Sequence, residues 1–281
     1  MIVGCGEWGF REMPMEQHFE IAQKFGFKYL EFGIGGGQTG RLPEAPSTDD
    51  VAQFRSLGEK FNIRTPFCCI ENDFTKLDAS AHDREVERVL PQIQAAADCG
   101  ATHVRLFAGF TPVVDIDESC WQRLLAAFKT CDDFCQKLDV LISIETHGGI
   151  AQNDDGSLTH IDSATTNRDG LRRLVEQLPP RVGFNFDPGN IKAAHPDDRR
   201  LGLDLINSRI NYCHLKDWRP VGDGWLACAM GDDDLDYAPL FSEMIFDGVY
   251  QIEYEPLEDV EDGIQRSLDY LAKVTPGFTL E

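Results

Sequence analysis

Apolar residues recur along this chain in two alternating rhythms. Short runs rich in β-branched and aromatic residues occur at 1–5 (MIVGC), 27–34 (FKYLEFGI), 62–70 (NIRTPFCCI), 102–109 (THVRLFAG), 140–147 (VLISIETH), 181–188 (RVGFNFDP), 210–217 (INYCHLKD) and 249–256 (VYQIEYEP). Runs of this length and composition read as strands. Between them, MEQHFEIAQKFG, DDVAQFRSLGEKFN, REVERVLPQIQAAADCG and ESCWQRLLAAFKTCDDFCQKL space their apolar residues three and four apart, as do NRDGLRRLVEQL, DYAPLFSEMIFDG and DVEDGIQRSLDYLAKV further on. That spacing is the period of an amphipathic helix. Only the stretch around 196–208 is a poor helix. Eight strands alternating with helices predict an α/β fold, a (β/α)8 or TIM barrel, as one domain over residues 1–281. A doubly wound sheet is the competing architecture. It wants a glycine-rich turn opening a helix after its first strand. GCGEWGF has the wrong spacing, and GIGGG after the second strand leads into no helix start.

Side chains alternate faces along a strand, so each strand also predicts what enters the barrel. In the fifth, Ile142 and Ile144 oppose Ser143, Glu145 and His147. In the sixth, Phe184 and Phe186 oppose Gly183, Asn185 and Asp187. In the seventh, Cys213 and Leu215 oppose Tyr212, His214 and Lys216. In the eighth, Tyr250, Ile252 and Tyr254 oppose Gln251, Glu253 and Glu255. The apolar sets belong against the helices, which leaves Glu145, Asp187, His214 and Glu253 around one axis. Each alone reads equally well as an exposed loop-end residue. Four at the same end of consecutive strands point to a shared purpose. Three carboxylates buried together require raised pKa values or a cation. A divalent metal held by two Glu, one Asp and one His answers this; oxygen donors with a single imidazole suit Mn, Mg or Co, with Zn a further choice. Glu31, Arg64 and Arg105 carry the same inward parity and are expected to form an ion-pair network inside the barrel.

Composition narrows the function. A hydrophobic content of 42% with 26% charged residues describes an ordinary globular chain. MIVGCGEWGF shows no basic segment leading into an apolar run, so no signal peptide is expected, and no stretch approaches the ~18 apolar residues of a membrane span. The formal net charge of −22 repels nucleic acid and anionic lipid. Its simplest reading is solubility. Nine cysteines, an odd number with no CxxC pair, predict buried thiols and a reducing, cytoplasmic setting rather than disulfides. Trp8, flanked by Gly6 and Gly9, is an aromatic candidate for contact with a substrate, as are Phe10, Phe67 and Phe107, although core packing accounts for each singly. GIGGG is expected to be a flexible loop, with a mobile lid as the alternative.

At SIETHGG, GFNFDPGN, CHLKDW, MGDDDLDYAPLF and GVYQIEYEP the chain resembles the xylose isomerase-like barrels of the sugar phosphate isomerase and epimerase family. The likeness covers most of the chain and is clearest from Val140 onward. It implies a metal held by Glu145, Asp187, His214 and Glu253, with Glu145 and Glu253 as the pair that removes and returns a proton beside a substrate carbonyl through an enediolate. Relatives acting on ketoses often carry a His three residues after the metal-binding Asp and an Arg six residues after the metal-binding His. Here these positions hold Asn190 and Pro220, with Arg219 one residue earlier. Asn190 and Arg219 are thereby the candidates for contact with substrate hydroxyls, and the departure points to a polyol-like substrate other than a free ketose. Lys216 is expected to stabilise a developing oxyanion or a leaving hydroxide, and His147 to bond a hydroxyl.

The leading expectation is a metal-dependent sugar or polyol isomerase or epimerase with a small-molecule partner, no nucleic acid and no membrane. The oligomeric state is left open, a homo-oligomer included. A dehydratase of a keto-polyol, such as a keto-inositol or a dehydroshikimate-like compound, shares the first proton abstraction. A DNA-repair endonuclease on the same barrel wants a basic face that the charge denies, and a sugar-binding protein with a vestigial metal site would not need both Glu145 and Glu253. No phosphate-cradling motif is present, which favours an unphosphorylated substrate.

Overall fold

The computed structural model describes residues 1–275 and 277–281. Its strands are β1 (Ile2–Cys5), β2 (Tyr29–Ile34), β3 (Arg64–Ile70), β4 (His103–Phe107), β5 (Leu141–Glu145), β6 (Gly149–Gln152), β7 (Leu158–Ile161), β8 (Gly183–Phe186), β9 (Ile210–Leu215), β10 (Asp217–Val221), β11 (Gly224–Cys228) and β12 (Val249–Ile252). Eight of them close into a parallel barrel in the order β1-β2-β3-β4-β5-β8-β9-β12. The main helices that return the chain are α1 (Met15–Phe25), α2 (Thr48–Phe61), α3 (Ala79–Asp98), α4 (Glu118–Leu138), α5 (Arg168–Gln177), α6 (Pro188–Ala194), α7 (Leu203–Ile206), α8 (Tyr237–Glu243) and α9 (Val260–Val274). This is the TIM barrel that the alternating rhythms predict. The poor helix between the sixth and seventh predicted strands is reduced to the single turn of α7 and a 3-10 turn at Asn207–Arg209.

Local chemistry fixes the helix ends. Ser47 and Asp50 form a reciprocal capping box at the start of α2, and Asp78, Asp117 and Asn167 cap α3, α4 and α5. Gly26 ends α1 with φ of 85°, a conformation that a side chain disfavours. None of the described helices is long and apolar enough to cross a membrane.

The outward faces of the strands build the main core. Phe32, Ile142, Ile144, Phe184, Phe186 and Cys213 are all fully buried against the helices. All nine cysteines are buried and unpaired. Inside the barrel the filling changes with height. At the bottom, Phe67, Tyr212 and Val249 form a small apolar cluster with Ile2 and Tyr29. Above it lie Glu31, Arg105, Asn185 and Gln251, all buried. Gly4 makes room for this layer: a Cβ there would stand 2.3 Å from Gln251 Oε1.

Two features differ from expectation. Arg64 is exposed and stacks over Tyr29, its Cζ 5.1 Å from the ring centroid, instead of joining a buried network. The β2–β3 register shifts between Tyr29↔Arg64 and Glu31↔Phe67, so Arg64 sits at the lower mouth while Phe67 and Cys69 take the inner face above the irregularity. The second is a four-stranded sheet, β10-β11-β7-β6, that stands beside the barrel mouth. It is antiparallel and tied together through Trp225↔Leu158. Its β6 is mostly exposed, so it lacks the apolar alternation that marks a strand in sequence. The run predicted as 210–217 ends as barrel strand at Leu215 and continues into this sheet as β10.

Truncating a side chain between barrel and helices removes contacts that cannot be refilled. Phe184→Ala is expected to lower stability by about 3–5 kcal/mol, whereas Val114→Ser, at a position 88% exposed, should stay within about 0.5 kcal/mol. Urea unfolding followed by circular dichroism separates the two.

Candidate metal centre

The four predicted ligands stand where barrel strands hand over to the loops at their carboxyl ends, the face on which such barrels place their chemistry. Glu145 is the last residue of β5, and His214 lies one residue before the end of β9. Asp187 caps α6: its Oδ1 accepts the Asn190 backbone N–H at 2.9 Å, which leaves Oδ2 for the cluster. Glu253 follows β12, and its backbone N–H donates to Leu215 O at 3.0 Å, fixing it beside His214. His214 Nδ1 is 3.1 Å from Glu253 Oε2, 3.7 Å from Glu145 Oε1 and 4.0 Å from Asp187 Oδ2. One donor atom from each of the four lies within 4.8 Å of the others, and all four residues are buried.

The donor set fits a cation. Glu145 Oε2, Asp187 Oδ2, His214 Nδ1 and Glu253 Oε2 are buried without an aligned hydrogen-bond partner. Arg105 and Lys216 reach three of them as ion pairs, but two cations face three buried carboxylates here, so the convergence suits a further positive charge between them. The surroundings say the same. Glu7, Glu31, Glu71, Glu145, Asp187, Glu253 and Glu255 crowd this end of the barrel, against the fixed cations Arg41, Arg105 and Lys216. Burial disfavours the charge on Glu145, but Arg105, with Nε 3.0 Å from its Oε2, and then His214 prevail and hold its pKa low. Burial pushes Asp187 the other way, up, against the pull of Lys216. Burial also opposes the charged form of His214, but Glu253 and Glu31 outweigh it and raise its pKa well above the ordinary value. A divalent cation would take the place of the protons this crowding otherwise demands.

Glu31 sets the orientation of the imidazole. It is fully buried. Its Oε2 lies 2.7 Å from His214 Nε2 and also accepts the Tyr212 hydroxyl, and its Oε1 accepts the Glu7 backbone N–H at 3.3 Å. A carboxylate oxygen offers no proton, so Nε2 carries a hydrogen toward Glu31, and it is the Nδ1 proton, facing Glu253, that a bound cation would displace to gain the lone pair there. Glu31 is thus a partner of the imidazole rather than of the arginines expected beside it.

The cluster floors a cleft of about 350 Å³. Trp8, Phe107, Phe110 and His147 wall it, and Glu145, Lys216 and Glu253 reach it from below. Lys216 Nζ lies 3.2 Å from Asp187 and 2.6 Å from both Glu253 and Glu255. His147 Nδ1 lies 2.5 Å from Gly148 O, and burial lowers the pKa of its ring. Asn190 lies behind the cluster, donating from Nδ2 to Glu145 Oε1 at 3.1 Å, so it braces a candidate ligand. Arg219 is not brought to the cleft; it is exposed on β10 and lines a separate groove. Among the other aromatic candidates, Phe10 packs on His18 at 5.2 Å and Phe67 on Tyr212 at 4.6 Å, both away from the cleft.

Sequence reasoning missed Phe110, Glu71 and the pair Glu7–Arg41. Glu71 follows β3 as Glu253 follows β12, and that strand-end position was its signal. It accepts Arg41 at 3.0 Å, while Arg41 Nε lies 3.2 Å from Glu7. The pair had no such signal, because Arg41 comes from the loop after GIGGG. That loop folds back, with Gly35 N–H donating to Leu42 O at 2.9 Å and Leu42 N–H to Gly33 O at 3.0 Å. Gly33 is required there, since a Cβ would lie 1.8 Å from Arg41 Nε.

A parallel barrel with carboxylates and an imidazole gathered at the carboxyl ends of its strands defines a class of TIM barrels with a candidate metal centre at the mouth. The family model described as xylose isomerase-like TIM barrel matches residues 19–274, and the chain belongs to that family. A search of curated proteins gives no match. Solved structures of the same fold include a D-tagatose 3-epimerase-like protein (TM-score 0.73, 16% identity, 98% of each chain covered). Another is the IOLI protein with a binding zinc atom (0.74, 15% identity, 99% of this chain and 100% of that one). A third is the probable 3-DHS dehydratase AsbF of Bacillus anthracis (0.73, 13% identity, 97% and 99%).

The purified protein is expected to hold one divalent ion per chain by metal analysis, and added Mn should raise its thermal midpoint. Asp187→Asn should lose both; equal, negligible metal in wild type and variant would remove the metal centre. Glu31→Gln, which leaves the four ligands in place, should weaken metal affinity by roughly 10–100-fold while the far-ultraviolet circular dichroism stays unchanged.

Proposed function

We propose that the chain is a divalent-metal-dependent isomerase or epimerase of an unphosphorylated sugar or polyol-like substrate. The observation that carries this reading is the placement of Glu145 and Glu253. Both reach the cleft, both approach His214 Nδ1, and each has its own cation, Arg105 at 3.0 Å and Lys216 at 2.6 Å. The family and the epimerase-like structural relative support it.

A bound divalent cation supplies the Lewis acidity that polarises a substrate carbonyl and acidifies the neighbouring C–H. One of the two glutamates removes that proton; the C–H electron pair forms a C=C bond, the carbonyl π pair moves onto its oxygen and an enediolate forms. The other glutamate, in its protonated form, delivers a proton to the opposite face as the carbonyl re-forms, which inverts the centre, or to the neighbouring carbon while the hydroxyl proton passes between the two oxygens and the carbonyl re-forms at the first carbon, which isomerises the sugar. Lys216 places its ammonium at the cluster, where negative charge develops on oxygen. With Nδ1–H given to Gly148 O, His147 leaves Nε2 to accept a substrate hydroxyl, and Trp8, Phe107 and Phe110 cover the C–H face of the ring.

A dehydratase is the second reading, favoured by one observation. Lys216 Nζ stands 2.6 Å from both Glu253 and Glu255 at the edge of the cleft, placed to give a proton to a departing β-hydroxyl so that it leaves as water. The likeness to a probable dehydratase supports it.

Incubation of the Mn-loaded protein with a panel of ketoses and keto-inositols in D2O tests both. Deuterium in recovered sugar without loss of water is the expected result, and the ultraviolet absorbance of a conjugated enone would favour the lyase. Glu253→Gln should lower the rate by about 10²–10⁴-fold. A rate unchanged in that variant would overturn the role given to the pair.

A further inference from the structure

The sheet formed by β10, β11, β7 and β6 builds something beyond the cleft. Between it and the segment after β12 runs a groove of about 820 Å³. Glu255 lines both the groove and the cleft. Arg11 joins them a second time: its guanidinium covers the Trp8 ring at 4.6 Å, and its Nη1 donates to Trp8 O at 2.6 Å and Glu255 O at 2.9 Å. Arg11 therefore stands between the cavities, fixed to the backbone of both walls. The cleft alone has the scale of one sugar ring with its hydroxyls, near the lower end of small-molecule sites. The groove adjoins it at Glu255, the residue that lines both, beside Lys216 on the cleft side.

The geometry points to a second subsite in this groove, for a neutral, polyhydroxylated unit attached to the reacting sugar, so that the substrate class is a glycoside or disaccharide. This rests on the reading of the cleft as a sugar site. The chemistry of the walls selects the occupant. Three arginines face four carboxylates there, so the groove has no surplus of positive charge with which to hold a phosphate or another anion. Arg266 is already engaged by Asp232 at 3.2 Å and Asp259 at 3.3 Å. Arg219 has no ionic partner among the described residues and is exposed on β10, with Gln152 and Glu258 on the same groove. Guanidinium, amide and carboxylate groups are planar and make paired hydrogen bonds, which suits neighbouring ring hydroxyls. Leu158, Leu226 and Leu257 provide apolar strips between them for the C–H face of a ring.

The test is calorimetric titration of the Mn-loaded, full-length protein. The probes are D-fructose and D-glucose against isomaltulose, turanose, maltose and cellobiose. At least one disaccharide is expected to bind about ten-fold or more tighter than either monosaccharide, and in Arg219→Ala the ratio of the two affinities should fall toward one. Monosaccharide binding with no gain from a second ring in any disaccharide would overturn the groove and leave the sugar site standing, as would a gain that Arg219→Ala does not reduce. Binding of neither class to metal-loaded protein would overturn the sugar site itself, and the groove with it.

Discussion

The arrangement of this protein depends on one electrostatic constraint: three carboxylates and an imidazole are buried around a single point at the barrel mouth. Burial alone opposes charge on every one of them. The barrel answers by placing fixed cations against them, Arg105 against Glu145 and Lys216 against Asp187 and Glu253, with His214 Nδ1 among the same carboxylates. Such a convergent set of buried carboxylates and an imidazole suits a cation, and it lies under one small cleft.

The layers beneath serve that mouth. The aromatic plug of Phe67 and Tyr212 closes the bottom of the barrel. The Tyr212 hydroxyl then rises to Glu31, and Glu31 reaches His214. Apolar packing at one end thereby becomes side-chain orientation at the other, through hydrogen bonds shielded from water and hence strong. On the far side, Arg41 spans Glu7 and Glu71, and glycine at position 33 leaves the space its guanidinium fills. The loops above are also used: two excursions of the chain, after β5 and after β9, join into a sheet that lengthens the mouth into a groove.

Much of this was legible along the chain. The strand of residues 210–215 announces its inward face by placing Tyr212 and His214 opposite Cys213 and Leu215, and the same alternation at Glu145, Asp187 and Glu253 names the four residues that the fold gathers. Asn190 and Arg219 were legible only as positions. The fold turns Asn190 to brace Glu145 and carries Arg219 out onto β10, because the strand that was expected to end near residue 217 leaves the barrel two residues earlier.

By itself, the sequence determined the number and order of the eight barrel strands, the apolar faces of β5, β8, β9 and β12 and the polar side chains those four strands turn inward. These are local properties, fixed by a period of two in strands and of 3.6 in helices. Only the tertiary structure decided which inward residues meet. His214 and Glu31 are separated by 183 residues, and they touch because closure of the barrel sets the stagger between strands. The register shift between Tyr29 and Glu31 put Arg64 in solvent, and the pairing of Trp225 with Leu158 made a groove from two polar loops. Each of these is a relation across the barrel, and no local period along the chain encodes it.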